Sequence, residues 1–286
     1  MRTNREKLVR ISVEGEIAHP MARMPYRTGY DGVNRVHPGT GGITYNVRVG
    51  DLALGWEGDH VEPAVSTRNK DNDANGAYNT FACVGNEAVV ISGDAKGARG
   101  VVTGTHGGIE HVIIDFQPED MEKMSIGDKI RIQAYGQGLK LSDYPGIEVL
   151  NIDPDFLEKL GIKEVGGKLQ VAVTVKVPAV AMGSGLGSST AHRGDYDITT
   201  QDPATIKEYG LEKLRLGDIV AIMDASAFYG WSHRRGAVII GIVVHSDSKI
   251  SGHGPGVTTL LTCNHGEIVP VIDPKANIAD ILGLRK

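Results

Sequence analysis

Histidine and aspartate residues concentrate in the last third of the chain. Five of the ten histidines lie at or after position 192, and His192 is closely followed by Asp195 and Asp197. Further along, His245 is followed by Asp247, and His253 stands in a loop of small residues. Imidazole and carboxylate groups bind Zn, Mn and Fe, and they also act as acids and bases. This cluster therefore predicts a metal centre or an acid–base site.

We assign roles within this cluster from residue type and position. The expected catalytic residues are His192, Asp195, His245, Asp247 and His253. The expected metal ligands are His192, Asp197 and His245, which suit a divalent metal such as Zn. The chain contains no standard metal-binding spacing such as H-E-x-x-H, so the prediction depends on the loop positions of these residues. The alternative is that they are ordinary polar residues in the turns of a β protein.

A glycine-rich segment precedes this cluster and is the predicted binding loop for a cofactor or substrate. Its candidate residues are Gly183, Gly185, Gly187, Ser188 and Ser189. The string G-L-G-S-S resembles the phosphate loop of the kinases that phosphorylate galactose, homoserine and mevalonate. In those kinases an apolar helix follows the loop, whereas residues 190–197 have no helical apolar period. We therefore favour backbone N–H groups that bind a carboxylate or an oxyanion.

The first half of the chain offers a second contributor and one weaker candidate, and another weaker candidate lies near the end of the sequence. Asp59, His60 and Glu62 are close in sequence and precede a polar stretch, residues 66–79, which we expect to be a surface loop. Although that stretch is rich in Asp and Asn, its Gly and Glu positions do not fit a calcium loop. A nucleophilic cysteine is a weaker candidate still, although Cys263 has a histidine, His265, close to it in sequence.

The elements that must position these residues are mostly strands. Short runs rich in Val and Ile between Gly, Asp and Pro residues predict strands at 88–91, 111–116, 129–134, 169–177, 219–223, 237–245 and 268–272. Short helices are predicted at 118–124, 154–160, 203–214 and 275–284. A doubly wound α/β fold needs a longer helix after most strands. The fold class is therefore mainly β, with few short helices.

A short pattern recurs before two of the predicted strands. The segments 122–128 and 212–218 both follow E-K-h-x-h-G-D, where h is an apolar residue, and a third Gly-Asp pair stands at 50–51. Glycine tolerates positive φ, and aspartate accepts hydrogen bonds from its own backbone. We interpret the pattern as a recurring turn that leads into a strand.

Several motifs occur in an order that resembles a known family. They are H-P-G-T-G-G at 37–42, G-D-H-V-E-P at 58–63, M-G-S-G-L-G at 182–187, H-S-D at 245–247 and G-P-G at 254–256. So arranged, they resemble the family catalogued as domain of unknown function 4438, over nearly the whole chain. The resemblance implies a layered, sandwich-like β domain, formed by residues 1–84 and 143–286, with an SH3-like small barrel inserted at 85–142. It implies no activity.

Charge and hydropathy restrict the partners. The net charge of −5 and the absence of a basic stripe argue against nucleic acid, even though the glycine turn at 97–104 resembles those of barrels in ribosomal proteins. The longest apolar run, residues 237–244, is far shorter than the roughly 20 residues that cross a bilayer. Two cysteines are too few for a disulfide framework. We expect a cytoplasmic protein that binds neither nucleic acid nor membranes.

Two functions from different classes remain. The first is a small-molecule enzyme, a hydrolase or lyase with or without a metal, whose site joins the glycine loop to the His and Asp cluster. The second is a non-catalytic, homo-oligomeric binding or scaffold protein, in which subunit contacts cover the edges of the sheets. Homo-oligomerisation and a small-molecule ligand are the partners that we expect.

Overall fold

A computed structural model describes residues 1–22, 26–184, 186–188 and 190–285. The fold is mainly β with a few short helices, as the sequence predicts. The strands are β1 Ile11–Ile17, β2 Arg27–Thr28, β3 Asn34–Arg35, β4 Ile43–Thr44, β5 Ala64–Arg68, β6 Glu87–Val90, β7 Arg99–His106, β8 His111–Asp115, β9 Lys129–Ala134, β10 Ile147–Val149, β11 Lys163–Val165, β12 Lys168–Val173, β13 Val175–Pro178, β14 Tyr196–Asp197, β15 Ile219–Ser226, β16 Ser232–Val243, β17 Gly256–Cys263 and β18 Ile268–Ile272. The α-helices are α1 Asn72–Phe81, α2 Pro118–Met121, α3 Pro154–Lys159, α4 Pro203–Tyr209 and α5 Ile278–Leu282.

Six antiparallel strands close into a small barrel. Their order is β1-β9-β6-β7-β8-β5, and β5 pairs with β1 to complete the circle. The barrel interior is filled by side chains such as Val65, Ile114 and Ile132, which are fully buried. Residues 85–142 supply four of the six strands, and β1 and β5 come from the segment before position 85. Closure therefore depends on pairing between distant parts of the chain.

The second layer is a sheet with both faces covered. Its strand order is β10-β17-β16-β15-β13, and the short strand β14 pairs with the first residues of β17. Alternate residues of β16 enter different cores, since Ile239 packs in one apolar cluster and Ile240 in another. Strands buried on both faces appear in sequence as continuous apolar runs, which explains residues 237–244. A smaller sheet, β11-β12-β18, packs against this one, since Leu169 and Val171 share an apolar cluster with Ile240.

The barrel contacts the large sheet where β7 approaches β17. The hydroxyl of Thr258 donates to the carbonyl oxygen of Thr105 at 3.1 Å, between these two strands. Gly104 permits the approach, because an added Cβ there would overlap the side chain of Val244, just after β16. The ends of β7 and β16 thus meet at one place.

The structure corrects two predictions of secondary structure. Residues 66–79 are not a surface loop, because they include β5 and most of α1. Asp71 caps α1 by accepting from the N–H of Ala74, and Asn75 and Asn79 are buried because both donate to the carbonyl oxygen of Glu110. The predicted strand at 169–177 is two strands, β12 and β13, which belong to different sheets.

The recurring Gly-Asp pattern has one structure in all three copies. Asp51, Asp128 and Asp218 each accept a hydrogen bond from the backbone N–H three residues earlier, at 2.8 Å. The glycine before each of them has a positive φ of 83° to 95°. The predicted turn is therefore confirmed, and two of the copies lead directly into β9 and β15.

Of the helices that the structure describes, none combines the length and the apolar character needed to cross a membrane.

Candidate metal centre

Six side chains meet between the barrel and the large sheet in two groups of three. Each group contains two histidines and one aspartate, whose potential ligand atoms all lie within 4.8 Å of one another. The inner triplet is His106, Asp195 and His245, and the outer triplet is His60, Asp197 and His253. Two imidazoles and one carboxylate are a common ligand set for divalent transition metals.

The inner triplet is enclosed by protein. His106 is the last residue of β7, Asp195 precedes β14, and His245 follows β16. The Nε2 atom of His245 lies 2.8 Å from Oδ2 of Asp195, and the ring centroids of His106 and His245 are 4.2 Å apart. All three side chains are buried.

The outer triplet faces a cavity. His60 precedes β5 in a left-handed backbone conformation with φ of 52°, Asp197 ends β14, and His253 stands in the loop before β17. His253 Nδ1 lies 2.9 Å from Asp197 Oδ2 and 3.2 Å from His60 Nε2. The side chain of His253 is 32% exposed, which makes this triplet accessible from solvent.

Three of the four imidazoles are oriented by an acceptor behind them. Nδ1 of His60 bonds Asp59 at 2.9 Å, Nδ1 of His106 bonds Glu62 at 2.6 Å, and Nδ1 of His245 bonds the carbonyl oxygen of Ser246 at 2.9 Å. Carboxylate and carbonyl oxygens only accept, so each Nδ1 carries a hydrogen and the opposite nitrogen, Nε2, is the one available to a metal. This outer-shell arrangement is typical of histidine metal ligands.

Glu62 organises the deepest part of the site. It is fully buried, and it accepts from His106 and also from His111, the residue opposite His106 in the β7–β8 pair. It also accepts from the hydroxyl of Ser66 and the N–H of Gly41. Burial alone would raise the pKa of Glu62, but the adjacent imidazoles His111 and His106 hold it well below its ordinary value. Glu62 is therefore a buried carboxylate anion.

The electrostatic balance of the triplets follows from their contacts. Burial lowers the pKa of His245, but Asp195 outweighs that effect and raises it to about 9. The pKa of His106 is lowered by burial and by the charge of His245. Burial would raise the pKa of Asp197, whereas His253 and His60 lower it below its ordinary value.

Glycines make room for the ligands. A Cβ on Gly256 would overlap Oδ2 of Asp195 and Nε2 of His245, so only glycine fits there while the pair keeps its position. A Cβ on Gly183 would overlap the carbonyl oxygen of Gly252, where two glycine-rich loops cross. The excess of glycine in these loops thus permits close packing around the site.

A cavity of about 340 Å³ opens onto the centre. Its walls include His60, His106, Asp195, Asp197 and His253 from the two triplets, together with Arg27, Ser184 and Gly187. Arg27 lies at this wall and forms an ion pair with Asp59 at 2.7 Å. The volume lies within the range of about 300–1,000 Å³ found for small-molecule pockets.

The structure brings together part of the site predicted from sequence. Asp195, Asp197, His245 and His253 belong to the two triplets. His192 belongs to neither triplet. Its Nδ1 lies 3.3 Å from the hydroxyl of Thr190 instead. Asp247 also lies outside them, with Oδ2 at 3.8 Å from the ammonium group of Lys249.

The predicted binding loop has a different arrangement from a phosphate cradle. The N–H groups of Gly183, Ser184 and Ser188 already donate to backbone carbonyl oxygens. Gly187 lies at the cavity wall, whereas Gly185 and Ser189 are outside the described residues.

Sequence reasoning missed the contributions of the barrel and did not assign a role to His60. His106 and His111 escaped notice because they stand in a glycine-rich hairpin with no recognisable ligand spacing. The available signal was their pairing on adjacent strands, which places both side chains on one face.

Comparisons with known proteins place the chain in a family. The model described as domain of unknown function DUF4438, N-terminal, matches residues 26–158, and the C-terminal model of DUF4438 matches residues 159–282. A solved structure, described as the crystal structure of TM1086, is 52% identical to this chain. The match covers 98% of each chain with a TM-score of 0.94. No curated protein matches. The chain belongs to the DUF4438 family.

Proposed function

We propose that this protein is a metal-dependent hydrolase of small polar molecules. The observation that carries the proposal is the convergence of two histidine–aspartate triplets whose imidazoles are oriented by outer acceptors. A structural metal site needs no access for substrate, whereas the outer triplet adjoins a cavity of about 340 Å³. A metal at such a position acidifies bound water and polarises a carbonyl oxygen.

The residues suggest how hydrolysis would proceed. A water held by a metal in the outer triplet would lose its proton to solvent in the cavity, because the metal lowers the pKa of that water and Asp197, as a metal ligand, is not free to accept the proton. The resulting hydroxide adds to the carbonyl carbon of an ester or amide. The bond to the leaving group would then break, and the leaving group would take a proton from water in the cavity. The N–H groups of Gly183, Ser184 and Ser188 are occupied, so stabilisation of the oxyanion would fall to the metal rather than to the glycine loop.

The test is hydrolysis of simple probes by the metal-loaded protein. Small chromogenic esters, lactones and cyclic amides are assayed with Zn²⁺ or Mn²⁺, before and after chelation. We expect turnover that chelation abolishes, that His245→Ala loses, and that the exposed His265→Ala retains. Probes left intact by metal-loaded protein, or turnover insensitive to chelation, would contradict the proposal.

His192→Ala distinguishes the two ligand sets. The sequence-based set includes His192 and the triplets do not. Retention of metal and turnover in this variant supports the triplets, whereas loss of both supports the sequence-based set.

One observation favours the alternative, a homo-oligomeric binding protein. The small β2–β3 ribbon exposes four large apolar side chains to solvent, namely Tyr26, Tyr30, Val33 and Val36. A second copy of the chain could cover them. Sedimentation of the wild type and of Val36→Asp tests this, because an oligomer built on this surface dissociates in the variant, and a wild-type monomer excludes it.

A further inference from the structure

The two triplets are close enough to act as one centre. Asp197 lies between them: its Oδ2 is 2.9 Å from His253 and 3.7 Å from His60, while its Oδ1 is 3.7 Å from Nε2 of His245. The centroid of the His60 ring is 5.1 Å from that of His245. One carboxylate therefore presents one oxygen to each triplet.

We propose that the protein binds two divalent metal ions, one in each triplet, bridged by the carboxylate of Asp197. In two-metal hydrolytic sites the ions lie about 3.5–4 Å apart, and a shared carboxylate spans that separation. This inference uses the same ligands as the proposed function, but it does not require that the protein hydrolyses anything.

The charge of the surroundings matches two ions better than one. Asp59, Glu62, Asp195 and Asp197 supply four negative charges, and Arg27 neutralises one of them. Metal-bound imidazoles are neutral, so a net charge of minus three remains. Two divalent ions with one bridging hydroxide carry plus three and balance it. A single divalent ion leaves a net charge of minus one, so an imidazole of the empty triplet would have to be protonated to balance it.

The two positions differ in access. His106 and Asp195 of the inner triplet also line the cavity, but all three inner ligands are buried, whereas the side chain of His253 in the outer triplet is 32% exposed. We therefore expect the outer ion to exchange readily and the inner ion to exchange slowly. A chelator should remove the two ions in two distinct phases.

The decisive experiment counts the ions and measures their coupling. Wild-type protein is dialysed to equilibrium against buffer that contains Mn²⁺, so that a readily exchanging ion stays bound, and is then analysed by elemental analysis relative to the dialysis buffer and by electron paramagnetic resonance. We expect two ions per chain with an exchange-coupled spectrum. His253→Ala should retain one ion with the spectrum of an isolated Mn²⁺, and His265→Ala should match the wild type. Circular dichroism verifies that each variant is folded.

Other results overturn the inference. One ion per chain in the saturated wild type does so, as do two uncoupled ions that both persist in His253→Ala. Two coupled ions in a protein that hydrolyses no probe leave this inference intact and contradict the hydrolase. Hydrolysis by a protein that binds a single ion per chain contradicts this inference and leaves the proposed hydrolase intact.

Discussion

Glu62 illustrates how a single buried residue can determine the orientation of several others. Its two oxygens accept from His106 and His111 on the barrel hairpin, while Ser66 and Gly41 donate from other segments. The carboxylate fixes the tautomer of His106, so that Nε2 has a lone pair directed away from Glu62. The role of Glu62 is positional, since it acts on the centre through His106.

Replacing Glu62 by Gln tests this role. The amide nitrogen would donate where one carboxylate oxygen now accepts, so one acceptor oxygen remains for four donors and the hydrogen bond that fixes the tautomer of His106 is weakened. We expect metal affinity to fall by about 10–100-fold, the range typical of outer-shell changes. Competition titration with a chromophoric chelator measures it. Glu57→Gln, at a side chain that is 95% exposed, is the control, and equal affinities in the two variants would refute the role.

Elements reach the site because glycine allows strands and loops to come unusually close. β17 begins at Gly256, against the Asp195–His245 pair, and β7 passes Val244 at Gly104. Apolar runs between turn residues predict β8, β9, β16 and β18, but of these only β16 leads to a ligand, His245. The strands β7 and β14, which carry His106 and Asp197, were not predicted. β17 was not predicted, since its small and hydroxyl residues conceal a strand that is buried along its whole length.

Gly256→Ala tests the close approach. The added methyl group overlaps both Asp195 and His245, and we expect a loss of about 1–3 kcal/mol of unfolding free energy together with weaker metal binding. Denaturant unfolding and metal titration measure the two effects. Gly76→Ala inside α1 is the matched control, where an added Cβ meets only the flexible end of Arg193. It should stabilise the protein by about 0.5–1 kcal/mol. Equal unfolding free energies of the two variants would show that the close packing of Gly256 against Asp195 and His245 does not contribute to stability.

At the scale of the whole molecule, a buried ion pair joins the barrel to the rest of the chain. Arg48 forms two hydrogen bonds with Asp115 at the end of β8, at 3.0 and 2.6 Å, and also donates to the carbonyl oxygen of Leu284. Both side chains are almost fully buried. Burial raises the pKa of Asp115 above its ordinary value, and Arg48 opposes this rise.

Arg48→Met should lower the unfolding free energy by about 3–5 kcal/mol at neutral pH, because it leaves a buried carboxylate unpaired. With Arg48 gone, the pKa of Asp115 rises further in the folded state. A carboxyl whose folded pKa exceeds its unfolded pKa loses stability as pH rises between the two values, so the deficit should be smallest in acid. Denaturant unfolding across pH measures the deficit.

The control is Arg99→Met, which breaks the exposed pair with Glu87 and should cost at most about 1 kcal/mol of unfolding free energy. If Arg48→Met loses no more unfolding free energy than Arg99→Met, or if its loss does not change with pH, Asp115 is not a buried carboxylate that depends on Arg48.

The sequence alone determined the mainly β class, the Gly-Asp turns and four of the six triplet residues, because strand periodicity, turn chemistry and residue type are local properties. Local properties also gave a wrong prediction, a surface loop at residues 66–79. Much of that stretch forms α1, in which Asn75 and Asn79 donate to the buried carbonyl oxygen of Glu110. Only the tertiary structure decided that His60 and His106 join Asp195, Asp197, His245 and His253. That convergence requires closure of the barrel by β1 and β5 and its contact with the large sheet. Both depend on contacts between residues far apart in the chain, which no spacing along the sequence encodes.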